Sequence, residues 1–316
     1  MKRKGLTLLT ALTLTMGLVG CSPEEETTGS ENPVETVTVK HYLGETEVEV
    51  NPERIVVAGY WNLDNLDALG VDGIVGVPKS DAFPPNLDKY LSDEYANIGS
   101  TTELDIEEIN ALDPDIIIVS DYNKDIYEDL QTIAPTVALS TRNDADYMVS
   151  LKNNLDIIGD IFDISDEEIN EKYQPLEDRI DELKAEIQKE DLTATTMTIQ
   201  SDSTMSVIGD HISLLYNNLG FREIDETFTP EKRGSQITFE YLVEKNPDYI
   251  FAINRSATSS ENPVDPAEII ANELIKDIDA VKNENFVVLD LYDWYMANGG
   301  LTSTSKALDQ MEEFLK

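Results

Sequence analysis

The sequence predicts an α/β protein of two Rossmann-like lobes with mostly parallel sheets, joined by a long interdomain helix. Three observations predict it. Short β-branched runs alternate with helical segments, the order expected of a parallel sheet covered by helices. The alternation stops at a long, charge-rich helical stretch and then begins again. One short unit also occurs on both sides of that stretch. IEEINALDPDIIIV, from Ile106, and FEYLVEKNPDYIFA, from Phe239, place Glu107 and Glu240, Pro114-Asp115 and Pro247-Asp248 at matching positions.

The first residues are of another kind. Lys2, Arg3 and Lys4 precede a short apolar run that ends in LVGC, Leu18 to Cys21. A basic start followed by an apolar run too short to span a bilayer is an export signal, and LVGC resembles a bacterial lipobox. Cys21 is the single cysteine of 316 residues, so an internal disulfide is excluded and the thiol reads as a lipidation anchor. Residues 1–21 are therefore expected to be a lipoprotein signal peptide. Residues 22–35, polar and acidic, bury too little apolar surface to fold and read as a disordered tether.

The N-terminal lobe is assigned to residues 36–146. Thr36 to Val50 alternates apolar and polar residues about a Leu-Gly turn, which signals a hairpin. RIVVAG and GIVGVP are strands. Leu63, Leu66 and Leu69 between them are spaced as a helix closed by Gly70. IEEINAL is a helix stopped at Asp113-Pro114, and DIIIVS, YEDLQTI and TVALS continue the alternation. Residues 147–190 read as an almost continuous helical connector, kinked or joined at Pro175.

The C-terminal lobe, 191–316, repeats the grammar. ATTMTIQ is a strand, ISLLYNNLG a helix closed by Gly220, and FREID the start of a further strand. The second copy of the doubled unit follows. AEIIANELIKDIDAV reads as helix, FVVLDL as strand, and a helix from about Ser303 ends the chain. Ligands of open α/β sheets sit beyond the carboxyl ends of the strands, so two such edges facing each other make a cleft.

The net charge of −40 excludes nucleic acid as a partner, since phosphates require a basic surface. It also reads as a solvated surface, and it makes any cation in a cleft informative. The chain has no G-x-S-x-G, phosphate-cradling loop or H-E-x-x-H, so it does not read as an enzyme. A receptor for free metal ions would want several histidines, and there are two, His41 and His211.

Four stretches, NPERIVVAGYWNLDNLDALGVDGIVGVPKS, YANIGSTTELDIEEINALDPDIIIVS, FEYLVEKNPDYIFAINR and VVLDLYDWYMANGGLTS, resemble in that order the class III, or cluster A, substrate-binding proteins of ABC importers for ferric siderophores and cobalamin. The NPERIVV opening and the WY…GG ending look most like binders of catecholate siderophores such as petrobactin. The resemblance implies a monomeric lipoprotein on the outer face of the cytoplasmic membrane, in the anchored form typical of Gram-positive bacteria. It would have no cofactor of its own, a ferric siderophore as ligand, and the permease and ATPase subunits of an importer as partners. A haem or cobalamin receptor of the same fold is the alternative. Glu107 and Glu240 match the acidic residues, one per lobe, that dock on permease arginines.

For an anionic ferric complex with planar groups, the fitting cleft offers cations and aromatic walls. The loops beyond the strands contain Tyr60, Trp61, Lys79, Tyr122, Lys124, His211, Arg233, Arg255, Trp294 and Tyr295. Catecholate binders place arginines at the positions of Tyr122, His211 and Arg255, so one Arg of the three is kept, and a hydroxamate or mixed citrate siderophore stands beside a catecholate as the ligand. Their iron-ligating His matches Arg233, and their ligating Tyr matches Tyr295, which would meet iron through the bound chelate. Packing at the lobe interface is an equal reading for Trp61 and Trp294. Arg142, after TVALS, reads as a solvated surface charge.

Overall fold

Runs such as IVV and IIIV are too apolar to leave either face of a strand in water, and both faces are covered. The computed structural model describes residues 35–80, 82–142, 146–208, 212–225 and 234–315. β1 (Thr36–His41) and β2 (Gly44–Glu49) form the expected antiparallel hairpin. β3 (Ile55–Val57), α1 (Tyr60–Ala68), β4 (Ile74–Val77), β5 (Ala96–Asn97), α2 (Ile106–Ala111), β6 (Ile116–Val119), α3 (Tyr127–Gln131) and β7 (Thr136–Ala138) follow. Their sheet has the order β5-β4-β3-β6-β7, parallel throughout. Ile55, Val57, Ile116 and Ile118 enter one core, and Val56, Ile117 and Val119 the other. This is how a parallel strand buries both faces.

The connector is two helices, α4 (Tyr147–Phe162) and α5 (Asp166–Glu190), and the break is not at Pro175. Asp163 adopts a left-handed φ of 51° and ends α4, and Ser165 and Glu168 form a capping box that starts α5. Pro175 lies inside α5 on its exposed side, where the carbonyl it leaves unpaired faces water. At 25 residues α5 is about 37 Å long.

The second lobe contains β8 (Thr193–Ile199), β9 (Met205–Val207), β10 (Arg222–Glu223), β11 (Gln236–Ile237), α6 (Phe239–Lys245), β12 (Tyr249–Asn254), α7 (Ser256–Ser259), α8 (Pro266–Ile270), α9 (Asp279–Lys282), β13 (Phe286–Leu289) and α10 (Leu301–Phe314). Its sheet order is β11-β9-β8-β12-β13, with β10 also on β8. The β8, β12, β13 and β10 pairings are parallel, and those of β9 with β8 and β11 are antiparallel. AEIIANELIKDIDAV is not one helix but α8 and α9, interrupted where the Asn272 side chain accepts from the Leu274 amide at 2.9 Å. ISLLYNNLG contains a π-helical turn, Leu214–Asn218.

The doubled unit does the same work in both lobes. Asp113 and Asn246 take left-handed φ of 46° and 47° and end their helices, and Pro forbids continuation. The next aspartate then reaches a neighbouring strand. Asp115 Oδ2 accepts from the Glu53 and Arg54 amides at 3.0 and 2.8 Å, at the entry to β3. Asp248 Oδ2 accepts from the Thr193 amide and hydroxyl at 2.8 and 2.5 Å, at the entry to β8. Each aspartate thus ties the start of its own strand to the start of the parallel strand beside it.

The lobes are clasped where α1 meets α10. Gly300 stands at the N-cap of α10 and brings no side chain to satisfy the amides of the first turn. α1 supplies the caps instead. Asn65 Oδ1 accepts from the Leu301 amide at 2.8 Å, and Asp64 Oδ2 from the Ser303 amide at 2.9 Å. Asn65 Nδ2 donates to the Gly299 carbonyl at 3.0 Å. Asp64 is fully buried, and burial raises its pKa above the ordinary carboxylate value. α5 is tied to the same helix by Arg179, which pairs with Asp309 at 2.6 Å and Glu312 at 2.7 Å.

A Cβ at Gly300 would collide with the Asp64 carboxylate. Gly300→Ala should therefore lower stability by about 1–3 kcal/mol, the usual cost of overpacking. Urea unfolding checks this, with the midpoint falling while the slope stays unchanged; an unaltered midpoint would show that the clasp yields.

Candidate functional site

The parallel strands of both lobes deliver their carboxyl ends to one cleft, a cavity of about 370 Å³. Trp61 lies beyond β3, Ser80 beyond β4, Ser100, Thr101 and Thr102 beyond β5, and Tyr122 beyond β6. From the second lobe Arg255 directly follows β12, and Tyr295 and Met296 follow β13. Four residues expected in the site from sequence, Trp61, Tyr122, Arg255 and Tyr295, are thus brought together.

Each is positioned by local structure. Trp61 sits in the first turn of α1, with its indole N–H donating to the Leu139 carbonyl at 3.3 Å. Tyr122 lies on a short 3₁₀ helix, Asp121–Ile126, started by a capping box of Ser120 and Asn123. The Trp61 and Tyr122 rings are 5.9 Å apart and tilted by 57°. Arg142, with its side chain 6 % exposed, stacks against both, 4.7 Å from the Trp61 ring and 4.6 Å from that of Tyr122, and pairs with Asp121 at 3.4 Å. In the other lobe the Arg255 guanidinium lies 5.4 Å from the Tyr295 ring. Tyr295 belongs to a π-helical turn, Tyr292–Met296. This turn sends Trp294 into the core, where its indole N–H donates to Gln310 at 2.8 Å, and brings Tyr295 to the cleft.

A family model described as periplasmic binding protein matches residues 55–292. The chain belongs to the periplasmic binding protein family. It is 32 % identical over 321 residues to the petrobactin-binding protein YclQ of Bacillus subtilis, covering 99 % of both chains. It is 27 % identical to the ferric-anguibactin-binding protein FatB of Vibrio anguillarum, over 93 % of this chain and 92 % of that one. Among solved structures, the periplasmic catecholate-siderophore binding protein VctP from Vibrio cholerae superposes with a TM-score of 0.83 at 30 % identity, covering 88 % of this chain and all of that one. The structure of YclQ gives a TM-score of 0.81, with 89 % and 99 % covered.

Other residues expected in this binding protein's cleft lie elsewhere. Tyr60 is buried, edge-on to Phe83 at 5.1 Å, and touches the cleft only indirectly, through a 2.9 Å hydrogen bond between its hydroxyl and that of Ser80. The Lys79 ammonium donates to the carbonyls of Leu91, Ser92 and Tyr95 at 3.2, 2.7 and 2.8 Å, so it holds a loop, and it does not line the cavity. Lys124 is exposed and does not line the cavity. Trp294 is core. Arg142 is the reverse case, a buried cation against the cleft wall where a solvated charge was expected. Its place beyond β7, at the same sheet edge as Tyr122, was the available signal. His211, Arg233 and Cys21 lie outside the described residues.

Glu107 and Glu240 are both exposed and occupy the second position of α2 and α6, after the N-caps Asp105 and Thr238. Neither is in an ion pair among the described residues. A larger cavity, about 560 Å³, lies between β1 and α4, contains His41, and reaches Ala138 and Ser140 at the carboxyl end of β7 only, with no residue of the second lobe in its lining. Among the described residues no group of three or more His, Cys, Asp and Glu side chains could hold a metal ion.

The π-helical turn carries a further carboxyl, Asp293, which burial and the neighbouring Asp290 push up to about 7. A carboxyl raised in the folded state favours folding when protonated. Its contribution is present below the unfolded value of 3.8 and is lost as pH rises through 7. Asp293→Asn should therefore stabilise the protein at pH 8 by about 1–2 kcal/mol after solvent screening, with the gain fading by pH 4. Urea unfolding of both proteins across that range checks it; an equal gain at both ends would contradict it.

Proposed function

We propose that the chain captures a ferric siderophore between its lobes and delivers it to the permease of an ABC importer. The observation that carries this reading is the cleft itself. It combines two Arg–aromatic stacks, one from each lobe, in a chain of net charge −40. Iron complexes with planar, anionic ligands match such walls, through ring stacking and charge-assisted hydrogen bonds to Arg. The chain is a binding protein and not an enzyme, as its family and relatives are. The relatives named for petrobactin and anguibactin support the siderophore reading and give nothing to a haem or cobalamin receptor.

In this reading Arg255 and Tyr295 form the second-lobe wall, and Trp61 and Tyr122 the first. Tyr295 is the residue that meets iron through the chelate. Cys21 carries a lipid that holds the protein on the outer face of the cytoplasmic membrane of a Gram-positive cell. The protein acts as a monomer and needs no cofactor of its own. Glu107 and Glu240 dock on the permease, and the ATPase subunits drive transport. Rim charges of this kind orient a partner and contribute modest affinity each.

Titration with ferric siderophores tests the capture step. Trp61 lines the cleft and Trp294 directly precedes the cleft residue Tyr295, so binding should quench the fluorescence of the wild type. No response to any ferric chelate would remove the siderophore from the reading. For docking, Glu107→Lys combined with Glu240→Lys should abolish iron uptake while siderophore affinity stays at the wild-type value; retained uptake would contradict the docking role.

A further inference from the structure

A guanidinium withdrawn from water is costly unless its surroundings compensate. Arg142 is withdrawn beside a cleft. Its two ring partners, Trp61 and Tyr122, line the cavity, while Arg142 and its carboxylate partner Asp121 do not. The cation therefore stands behind the aromatic wall, with its charge against the inner faces of both rings. Asp121 is itself held by the Ser140 hydroxyl, which donates to its other carboxylate oxygen at 3.1 Å. The same Ser140 hydroxyl accepts from the Arg142 amide at 3.1 Å, so the loop beyond β7 is tied to this ion pair. The pair presents its positive member to the rings.

We propose that Arg142 sets the charge specificity of the first-lobe wall, making Tyr122, backed by the buried Trp61, a surface for anionic aryl ferric chelates and disfavouring cationic ones. The proposal rests on the siderophore reading and sharpens its ligand class. Tyr122 spends one π face on the guanidinium, which draws electron density away from the face turned to the cleft, while Trp61, 1 % exposed, packs against the same cation beneath it. An electron-rich catecholate ring then stacks there with the positive member of the buried Arg142–Asp121 pair close behind it. Arg255, exposed beside Tyr295 and lining the cavity itself, offers its cation directly from the other lobe, so an anionic planar group meets positive charge on both sides.

The experiment measures the affinity of wild type, Arg142→Met, Arg142→Lys and Asp121→Asn for two probes, an anionic ferric tris-catecholate and the cationic ferric hydroxamate ferrioxamine B. Arg142→Met should weaken the anionic complex about tenfold or more relative to the cationic one, and Arg142→Lys should keep most of the preference. Asp121→Asn, which removes one negative charge beside the cation, should shift the ratio further toward the anionic complex. Equal losses for both probes in Arg142→Met would mark Arg142 as a packing residue and overturn the proposal. If Arg142→Met does not fold, an unchanged ratio in Asp121→Asn overturns it instead. A wild type that binds no ferric complex would overturn the siderophore reading beneath it.

Discussion

The first-turn amides of α10 have no acceptors inside their own helix, and the other lobe satisfies two of them. Asp64 and Asn65 of α1 bond the amides of Ser303 and Leu301, and Gly300 leaves room for the carboxylate. An unsatisfied buried amide costs about 1–3 kcal/mol, so losing either acceptor while the lobes stay packed here would leave such a penalty behind. The clasp fixes where the two carboxyl edges stand, and with them the distance between Trp61 and Tyr122 on one wall and Arg255 and Tyr295 on the other. α5 braces the same helix from outside through Arg179. A cleft held in this way is formed before any ligand arrives.

The cleft's chemistry follows from how few cations the chain has. With 23 Lys and Arg against 63 Asp and Glu, cations left in water would be swamped by neighbouring carboxylates. Stacking Arg142 and Arg255 on rings keeps their charge at the site. Partial burial does the same for Arg142 by lowering the local dielectric, and Asp121 keeps that burial tolerable. Specificity in this account comes from charge held behind one aromatic wall and beside the other, with the surrounding acidic surface excluding other anions.

Much of this was legible in the sequence, for identifiable reasons. The β-branched runs specified buried parallel strands, and Pro114-Asp115 and Pro247-Asp248 marked helix stops in both lobes. The use of Asp115 and Asp248 as ties to β3 and β8 was not legible, because their partners lie far off in sequence. AEIIANELIKDIDAV has helical spacing, yet Asn272 captures a local amide and breaks it. Trp294 and Tyr295 are adjacent, and only the π-helical turn decides which one enters the core. The surroundings of Lys79 and Arg142 were not legible, for one reason. Whether a cation faces a ligand, a set of carbonyls or two rings depends on tertiary neighbours that spacing does not encode.

The most direct test is a crystal structure of the protein loaded with a ferric siderophore, using the anomalous signal of iron to locate it. The account predicts one iron peak in the cleft bounded by Trp61, Tyr122, Arg255 and Tyr295, with the Asp64–Ser303 and Asn65–Leu301 bonds intact. An iron peak in the cavity between β1 and α4, or a cleft reached only after the clasp has opened, would contradict it.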